Sequence, residues 1–161
     1  MFVIRLLVRV VVVLLVLGML GSFAARYHDG PIGPLPGGPL TSGPLVKTPV
    51  TDWAFAANVP EIALQLDSQS KSRTTWIIVD RGKAYVPAAV EFPPGKTWHQ
   101  AALADGRAVL RIQGKRYPVT LTRVEDPTLL NGVREVGSSK YPARPGGEVW
   151  AFAVASRPKG G

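Results

Sequence analysis

The first 25 residues constrain the fold of this chain more than any other part of it. They read MFVIRLLVRVVVVLLVLGMLGSFAA, with no charge from Val10 to Ala25 and with Arg5 and Arg9 just before that run. A helix over this run would be about 24 Å long, and one that begins at Leu6 would approach the roughly 30 Å of a bilayer core. We therefore predict a membrane-spanning helix over residues 1–25, in which Arg9 reaches the headgroups along its aliphatic stem.

A cleaved signal peptide is the alternative interpretation of the same segment. Its basic start, its apolar stretch and the small residues Ser22, Ala24 and Ala25 fit a cleavage site as well as an anchor. The chain has no Cys, so a lipid-modified cysteine anchor is excluded. Arg5 and Arg9 favour a cytoplasmic N-terminus. An uncleaved segment would make a single-pass protein of the cytoplasmic membrane, and under either interpretation the C-terminal domain is periplasmic or extracellular.

The charge of the chain predicts a membrane partner and argues against a nucleic-acid partner. The formal net charge is +8, and the basic residues after the apolar segment are scattered, with no run of four or more. Scattered cations attract anionic lipid headgroups, whereas a nucleic-acid binder needs a basic stripe with interleaved aromatic residues. Because the chain has no Cys, no disulfide supports the fold, which must rest on packing.

Composition divides the rest of the chain into three parts. Gly or Pro occupies more than half of residues 30–49, which excludes a helix or a central strand and predicts an extended linker over residues 26–51. Apolar residues recur through this linker, so we expect it to lie partly against the domain or the membrane surface. Residues 52–157 form the predicted domain, and residues 158–161 form a disordered tail.

Strand patterns dominate the predicted domain. Apolar and polar residues alternate from Ile62 to Leu66, and residues 74–79 are β-branched and aromatic, as in a buried strand. Residues 80–83 form a turn in which Gly82 can adopt a positive φ. The other predicted strands cover residues 84–86, 108–112, 117–124 and 148–155, and residues 113–116, which include Gly114, form the turn of a second hairpin.

Two short helices complete the prediction. Residues 97–104 carry apolar side chains at helical spacing. Asp126 can cap a second helix, Pro127 suits its first position, and Gly137 is expected to end it. Five or six strands joined by hairpins, with peripheral helices, predict a mainly β fold, a small antiparallel barrel preceded by the transmembrane helix.

The sequence offers little conventional catalytic chemistry. There is no Cys nucleophile, neither His28 nor His99 has a second ligand at metal spacing, and no P-loop occurs. We therefore predict no metal site and assign no catalytic residue. One cluster is suggestive, because Arg73 and Lys96 are expected at neighbouring positions where a phosphate could bind. The same cluster is also explained as solvated cations beside a core residue, Trp98.

A resemblance to a known family covers the middle of the chain. It is carried by TTWIIVDRGKAYVPAA…GKTWHQAALADGRAVLRIQGKRYPVTLTRVEDP, which resembles the flavin-binding split β-barrels, the pyridoxamine-phosphate-oxidase-like folds that include the deazaflavin-dependent nitroreductases. The resemblance implies a split β-barrel, a homodimer with cofactor between its subunits and, here, an exported, membrane-anchored branch. It also implies that four residues contact the phosphate or the ring of FMN or a deazaflavin: Arg73, Thr74, Lys96 and Trp98.

Two functions remain open on this evidence. The first is a membrane-anchored protein that binds a flavin-type cofactor, with or without oxidoreductase activity, since the cofactor itself would carry the redox chemistry. The alternative is a non-catalytic binding or assembly module at the outer face of the cytoplasmic membrane, built on the same barrel without cofactor.

Overall fold

The computed structural model describes residues 2–25, 27–142 and 147–157. The predicted disordered tail, residues 158–161, lies outside the described residues. The first element is helix α1, Phe2–Ala25. Within it Val3–Ala25 is long and apolar enough to cross a membrane, and none of its most apolar part is buried in the protein. A signal sequence has the same properties, so both interpretations of the segment stay open.

The remainder of the described chain is a single curled antiparallel sheet with two further α-helices and a short 3-10 helix, Ala54–Ala56. The α-helices are α2, Trp98–Ala104, and α3, Pro127–Lys140. The sheet order is β2-β1-β5-β6-β7-β4-β3, and the strands are β1 Ile62–Leu66, β2 Ser72–Thr75, β3 Ile78–Asp80, β4 Lys83–Ala89, β5 Arg107–Ile112, β6 Lys115–Arg123 and β7 Val149–Ser156. This half-barrel confirms the predicted mainly β, antiparallel fold class, with seven strands in the described residues where five or six were expected.

The prediction of one strand over residues 74–79 is wrong. The segment is divided between β2 and β3, which are the two outermost strands of the sheet and are joined only by Trp76 and Ile77. The backbone of Ile77 bonds to side chains and not to a neighbouring strand: its N–H donates to the Tyr141 hydroxyl at 3.3 Å, and its carbonyl accepts from Lys140 Nζ at 2.8 Å. Because so short a connection joins the two edges, the sheet must curl.

The predicted hairpin turns are confirmed. Arg81 and Gly82 have φ values of 47° and 75°, and Gln113 and Gly114 have values of 49° and 77°. Two successive residues with positive φ are typical of a type I′ turn, whose twist matches that of the flanking strands.

Helix α3 begins as predicted and ends later than predicted. The Asp126 carboxylate accepts hydrogen bonds from the N–H groups of Thr128 and Leu129, at 2.8 and 3.3 Å, and Pro127 follows directly. The helix continues past Gly137 to Lys140. A Cβ at Gly137 would lie 2.7 Å from Ile78 Cδ1, so this glycine permits close packing of the helix on β3.

Two groups of buried side chains hold the sheet together. The larger fills the concave side of the half-barrel and includes Leu64, Leu110, Ile112, Val119 and Phe152, each fully buried. The smaller lies between the sheet and α3 and is made of Ile78, Tyr85, Val124, Val133 and Ala151. Helix α3 is thereby fixed beside the edge of the sheet that β3 forms.

The Gly/Pro-rich segment contacts the domain, as expected. Gly37 exchanges two backbone hydrogen bonds with Ser72, both 3.1 Å long, and so extends the sheet beyond β2. Farther along, Val46 N–H donates to the Arg116 carbonyl at 2.8 Å. Asp29 pairs with Arg111 of β5 at 3.0 Å. These contacts place residues 33–36 next to the open edge of the half-barrel.

Candidate functional site

A cavity of about 1070 Å³ lies where the two edges of the sheet approach each other. Its walls come from β2 and β3, the outer ends of β4 and β7, helix α3, residues 92–97 and the loop at residues 33–36. Ligand cavities commonly measure about 300–1,000 Å³, so this one can hold a ligand of at least drug size. All four residues that the family resemblance assigned to a cofactor lie on its wall: Arg73, Thr74, Lys96 and Trp98.

Three cationic side chains line the cavity: Arg134, from α3, and the neighbouring pair Arg73 and Lys96. The pair is the candidate anion site. None of the ion pairs within residues 2–25, 27–142 and 147–157 includes either of them. One acidic side chain, Glu61, also lines the cavity, but it is exposed to solvent. Two cations without a paired carboxylate, on the wall of a cavity, form a site suited to an anion.

The electrostatics of the pair reflect this lack of a counter-ion. Burial lowers the pKa of Arg73. Burial also lowers the pKa of Lys96, and the neighbouring charge of Arg73 lowers it further. The Arg73 guanidinium donates from Nη2 to Gln69 Oε1 at 2.5 Å, while its Nε is buried without a partner among the described residues. An anion at this position would offset the repulsion between Arg73 and Lys96 and would accept a hydrogen bond from Arg73 Nε.

Trp98 and Thr74 have structural roles at the same place. Trp98 is only 3% exposed and packs against Phe152, with ring centroids 5.5 Å apart. The Arg73 guanidinium lies 5.8 Å from the centre of the Trp98 ring. Thr74 donates its hydroxyl to the Gly33 carbonyl at 2.7 Å and thereby holds the loop that borders the cavity. Whether any of these residues contacts a cofactor stays a prediction.

The start of α2 also borders the cavity, through Thr97 and Trp98. This helix has only seven residues, and its N-cap residue Thr97 makes no side-chain capping bond. Beside it, the structure brings the Lys96 ammonium and the Arg73 guanidinium to the cavity wall.

Sequence reasoning missed an aromatic pair, Trp76 and Tyr141, that also lines the cavity. The two rings are stacked with centroids 4.4 Å apart and planes 4° from parallel. The Tyr141 oxygen lies 2.7 Å from the Pro60 carbonyl, and burial raises the pKa of this phenol. No local pattern could have paired two residues so far apart in sequence; the one available signal was a tryptophan within a strand-like run.

His99 adjoins the site without lining the cavity. Its ring is 2% exposed, packs edge-on against Trp150 at 5.1 Å, and has no hydrogen-bond partner for Nδ1 in the described residues. Burial lowers the pKa of His99, and the charge of Lys96 lowers it further, so the ring is neutral at neutral pH. No group of three or more His, Cys, Asp or Glu residues that could hold a metal occurs in the described part of the chain.

Comparisons with known proteins give a partial structural likeness. No protein-family model and no curated protein matches the chain. Among solved structures, it is similar to a crystal structure from Listeria innocua whose protein is assigned as a pyridoxamine 5′-phosphate oxidase, with 11% sequence identity and a TM-score of 0.43. The similarity covers 60% of this chain and 82% of that chain.

Proposed function

We propose that this protein is a membrane-anchored split-barrel protein that binds a planar, phosphate-bearing ligand of the flavin type, either FMN or a deazaflavin. The observation that carries this proposal is the pair of cations, Arg73 and Lys96, on the wall of a cavity of about 1070 Å³ with no ion-paired carboxylate in the described residues.

The cation pair matches the phosphate of such a ligand. A guanidinium and an ammonium on one wall supply several N–H donors, and charge-assisted hydrogen bonds to phosphate are the strong ones. The unpartnered Nε of Arg73 is a donor already in place for an acceptor oxygen. Lys96 adds a second charge. Its backbone N–H donates to the Pro93 carbonyl at 3.3 Å, but its side-chain ammonium makes no hydrogen bond or ion pair within the described residues and can reach the anion.

The remaining walls match a planar, largely apolar ring. Val133, Leu130 and Val149 line the cavity, and the stacked pair of Trp76 and Tyr141 borders it. Binding sites of this type are mostly apolar, with a few polar groups that fix the orientation of the ligand.

The chain's own residues would bind and orient the ligand. A flavin supplies hydride and electron transfer itself, so the protein needs no nucleophile or paired acid and base for that chemistry. We propose ligand binding as the function of the domain, with any oxidoreductase activity resting on the bound ligand.

We also propose that α1 remains as a membrane anchor and that the domain lies outside the cytoplasm. The length and apolar character of Val3–Ala25 support the anchor, and Arg5 and Arg9 before the apolar run support the orientation.

The proposal is tested by adding FMN and a deazaflavin to the full-length protein in detergent micelles. Ligand fluorescence is titrated, and the visible absorption of the purified protein is recorded first. We expect saturable binding of at least one of the two ligands. If neither binds and the purified protein shows no visible band, the flavin proposal is wrong, and a non-catalytic assembly module becomes the better account of the fold.

A further inference from the structure

From the rim of the cavity we infer a second membrane contact, and this inference rests on the proposed membrane anchor. We propose that the apolar rim, defined as Ile32, Leu35 and Phe92, inserts into the surface of the same lipid bilayer that α1 crosses. The mouth of the cavity would then face the membrane.

The rim exposes large apolar side chains around the cavity. Ile32, Leu35 and Phe92 are 46%, 40% and 54% exposed. Between the first two residues, Gly33 and Pro34 line the cavity directly, and Phe92 lines it from the loop on the other side. Exposed apolar residues grouped around one opening indicate a contact surface more strongly than the same residues scattered singly.

The rim is held in place and would insert without refolding. Ile32 and Leu35 exchange two backbone hydrogen bonds, of 3.1 and 3.0 Å, which close a tight turn. The turn is joined to the sheet edge by the bond from Thr74 to the Gly33 carbonyl and by the pairing of Gly37 with Ser72. A preformed apolar turn loses little conformational entropy when it binds a surface.

The tether between α1 and the domain is too short to hold the rim far from a bilayer. Asp29 is fixed to the sheet by Arg111, which donates to its carboxylate and to its backbone carbonyl, each at 3.0 Å. Only four residue steps separate Asp29 from Ala25, the end of α1, so their Cα atoms are at most about 14 Å apart. Ile32 lies at most about 25 Å from the same point.

Charge and aromatic content at this end of the domain also suit a lipid surface. Tyr27 is 80% exposed, lies two residues beyond the end of α1 and packs edge-on against Phe23 at 5.6 Å. Aromatic residues are enriched at the level of the headgroups. Lys71 is exposed beside β2, and the net charge of +8, of which Arg5 and Arg9 across the bilayer supply only two, favours anionic lipid. These features favour a lipid bilayer as the partner of the rim over a soluble protein or a second copy of the chain.

The absence of Cys from the sequence allows a direct test with single-cysteine variants. Leu35→Cys carries an environment-sensitive fluorophore on the rim. Leu103→Cys is the matched control, because Leu103 is similarly exposed, at 50%, but does not line the cavity. The full-length variants are placed in vesicles of phosphatidylcholine and phosphatidylglycerol, with circular dichroism as the check of folding. If Leu35→Cys does not fold, Phe92→Cys replaces it.

The rim label is expected to be quenched several-fold more strongly by spin-labelled lipid than the control label, and less strongly by aqueous iodide. Equal quenching of the two labels would overturn the inference. Protection of the rim label that depends on protein concentration in detergent would also overturn it, in favour of a second copy of the chain. Alkaline extraction of the same vesicles tests the anchor separately. A protein that is extracted would refute the proposed anchor. A protein that stays in the membrane with its rim label exposed to water would refute only this inference.

Discussion

Trp76 and Tyr141 stack face to face at the break between β2 and β3, with ring centroids 4.4 Å apart and planes 4° from parallel. The stack joins the end of α3 to the two-residue connection between the edges of the half-barrel. Lys140, next to it, donates to the carbonyls of Val59 and Ile77 at 2.7 and 2.8 Å. The end of α3 therefore supplies hydrogen-bond donors to the Ile77 carbonyl, which does not pair with a neighbouring strand.

Substitution of Tyr141 tests how much this contact stabilises the fold. Tyr141→Phe keeps the ring and removes the hydroxyl that bonds to Ile77, so it should cost about 1 kcal/mol. Tyr141→Ala removes the stack as well and should cost about 3–4 kcal/mol. Urea unfolding of the full chain in detergent measures both variants. Equal stability of Tyr141→Ala and the unsubstituted protein would contradict the role given to the stack.

Gly37 is predicted to be intolerant of a side chain. A Cβ there would lie 1.7 Å from the Gly30 carbonyl oxygen, which is a backbone atom that cannot turn away. Gly37→Ala should destabilise the protein by about 3 kcal/mol and loosen the loop that borders the cavity.

Gly132→Ala is the matched control for this substitution. Gly132 lies within α3, and the nearest atom to its added Cβ is 3.9 Å away, so the exchange should stabilise the helix by about 0.5–1 kcal/mol. Thermal unfolding compares the two variants, and a shift of both in the same direction would contradict the steric explanation.

The contact of Asp29 with Arg111 should make the thermal stability of the protein depend on pH. Burial alone would raise the pKa of Asp29, but hydrogen bonds from Ser42 and Thr41 and the charge of Arg111 together lower it below its usual value of 3.8. Because the pKa of Asp29 is lower in the folded protein than in the unfolded chain, its ionised carboxylate stabilises the fold at pH values above 3.8. This stabilisation is lost as the pH falls below 3.8. Thermal unfolding from pH 6 downward should therefore show a steeper acid loss than Asp29→Asn shows. Identical pH profiles would exclude this contribution.

Binding of a phosphate ligand should weaken with rising pH because of Lys96. Burial and the charge of Arg73 lower the pKa of Lys96 from 10.5, and only the protonated ammonium attracts the anion. The affinity for FMN should therefore fall across the alkaline range, beginning at a lower pH than an ordinary lysine would give. Lys96→Arg, which stays charged throughout, should bind FMN with a nearly constant affinity over that range. A pH dependence that is the same in both proteins would exclude Lys96 as its source.

Local chemistry predicted the parts of the fold that depend on a few adjacent residues. Gly82 and Gly114 defined the hairpin turns, and Asp126 with Pro127 defined the start of α3, because each acts within its own segment. The break at Trp76 and Ile77 could not be predicted, since Tyr141, which bonds to Ile77, lies 64 residues farther along the chain. The prediction that Gly137 ends α3 was wrong for a similar reason. The glycine is explained by its close packing against Ile78 of β3 and not by the end of the helix.

The candidate site was likewise predictable from the sequence only in part. The sequence predicted that Arg73 and Lys96 would lie near each other, and the structure places both on one cavity wall. It could not predict that Thr74 would bond to Gly33, because a Gly/Pro-rich segment carries no pattern that fixes where it packs. The role of these residues toward a cofactor remains a prediction.

The proposal that the cation pair holds a phosphate is tested most directly by comparing FMN with riboflavin, which has the same ring and no phosphate. The full-length protein should bind FMN more tightly than riboflavin. Lys96→Ala and Arg73→Ala should each remove a charge-assisted contact of about 1.5–3 kcal/mol and weaken FMN binding roughly 10- to 100-fold. Riboflavin binding should change little, and Lys83→Ala, which removes an exposed lysine outside this cavity, should change neither. Equal affinities of the unsubstituted protein for FMN and riboflavin, or FMN binding unaffected by Lys96→Ala and Arg73→Ala, would contradict the proposal.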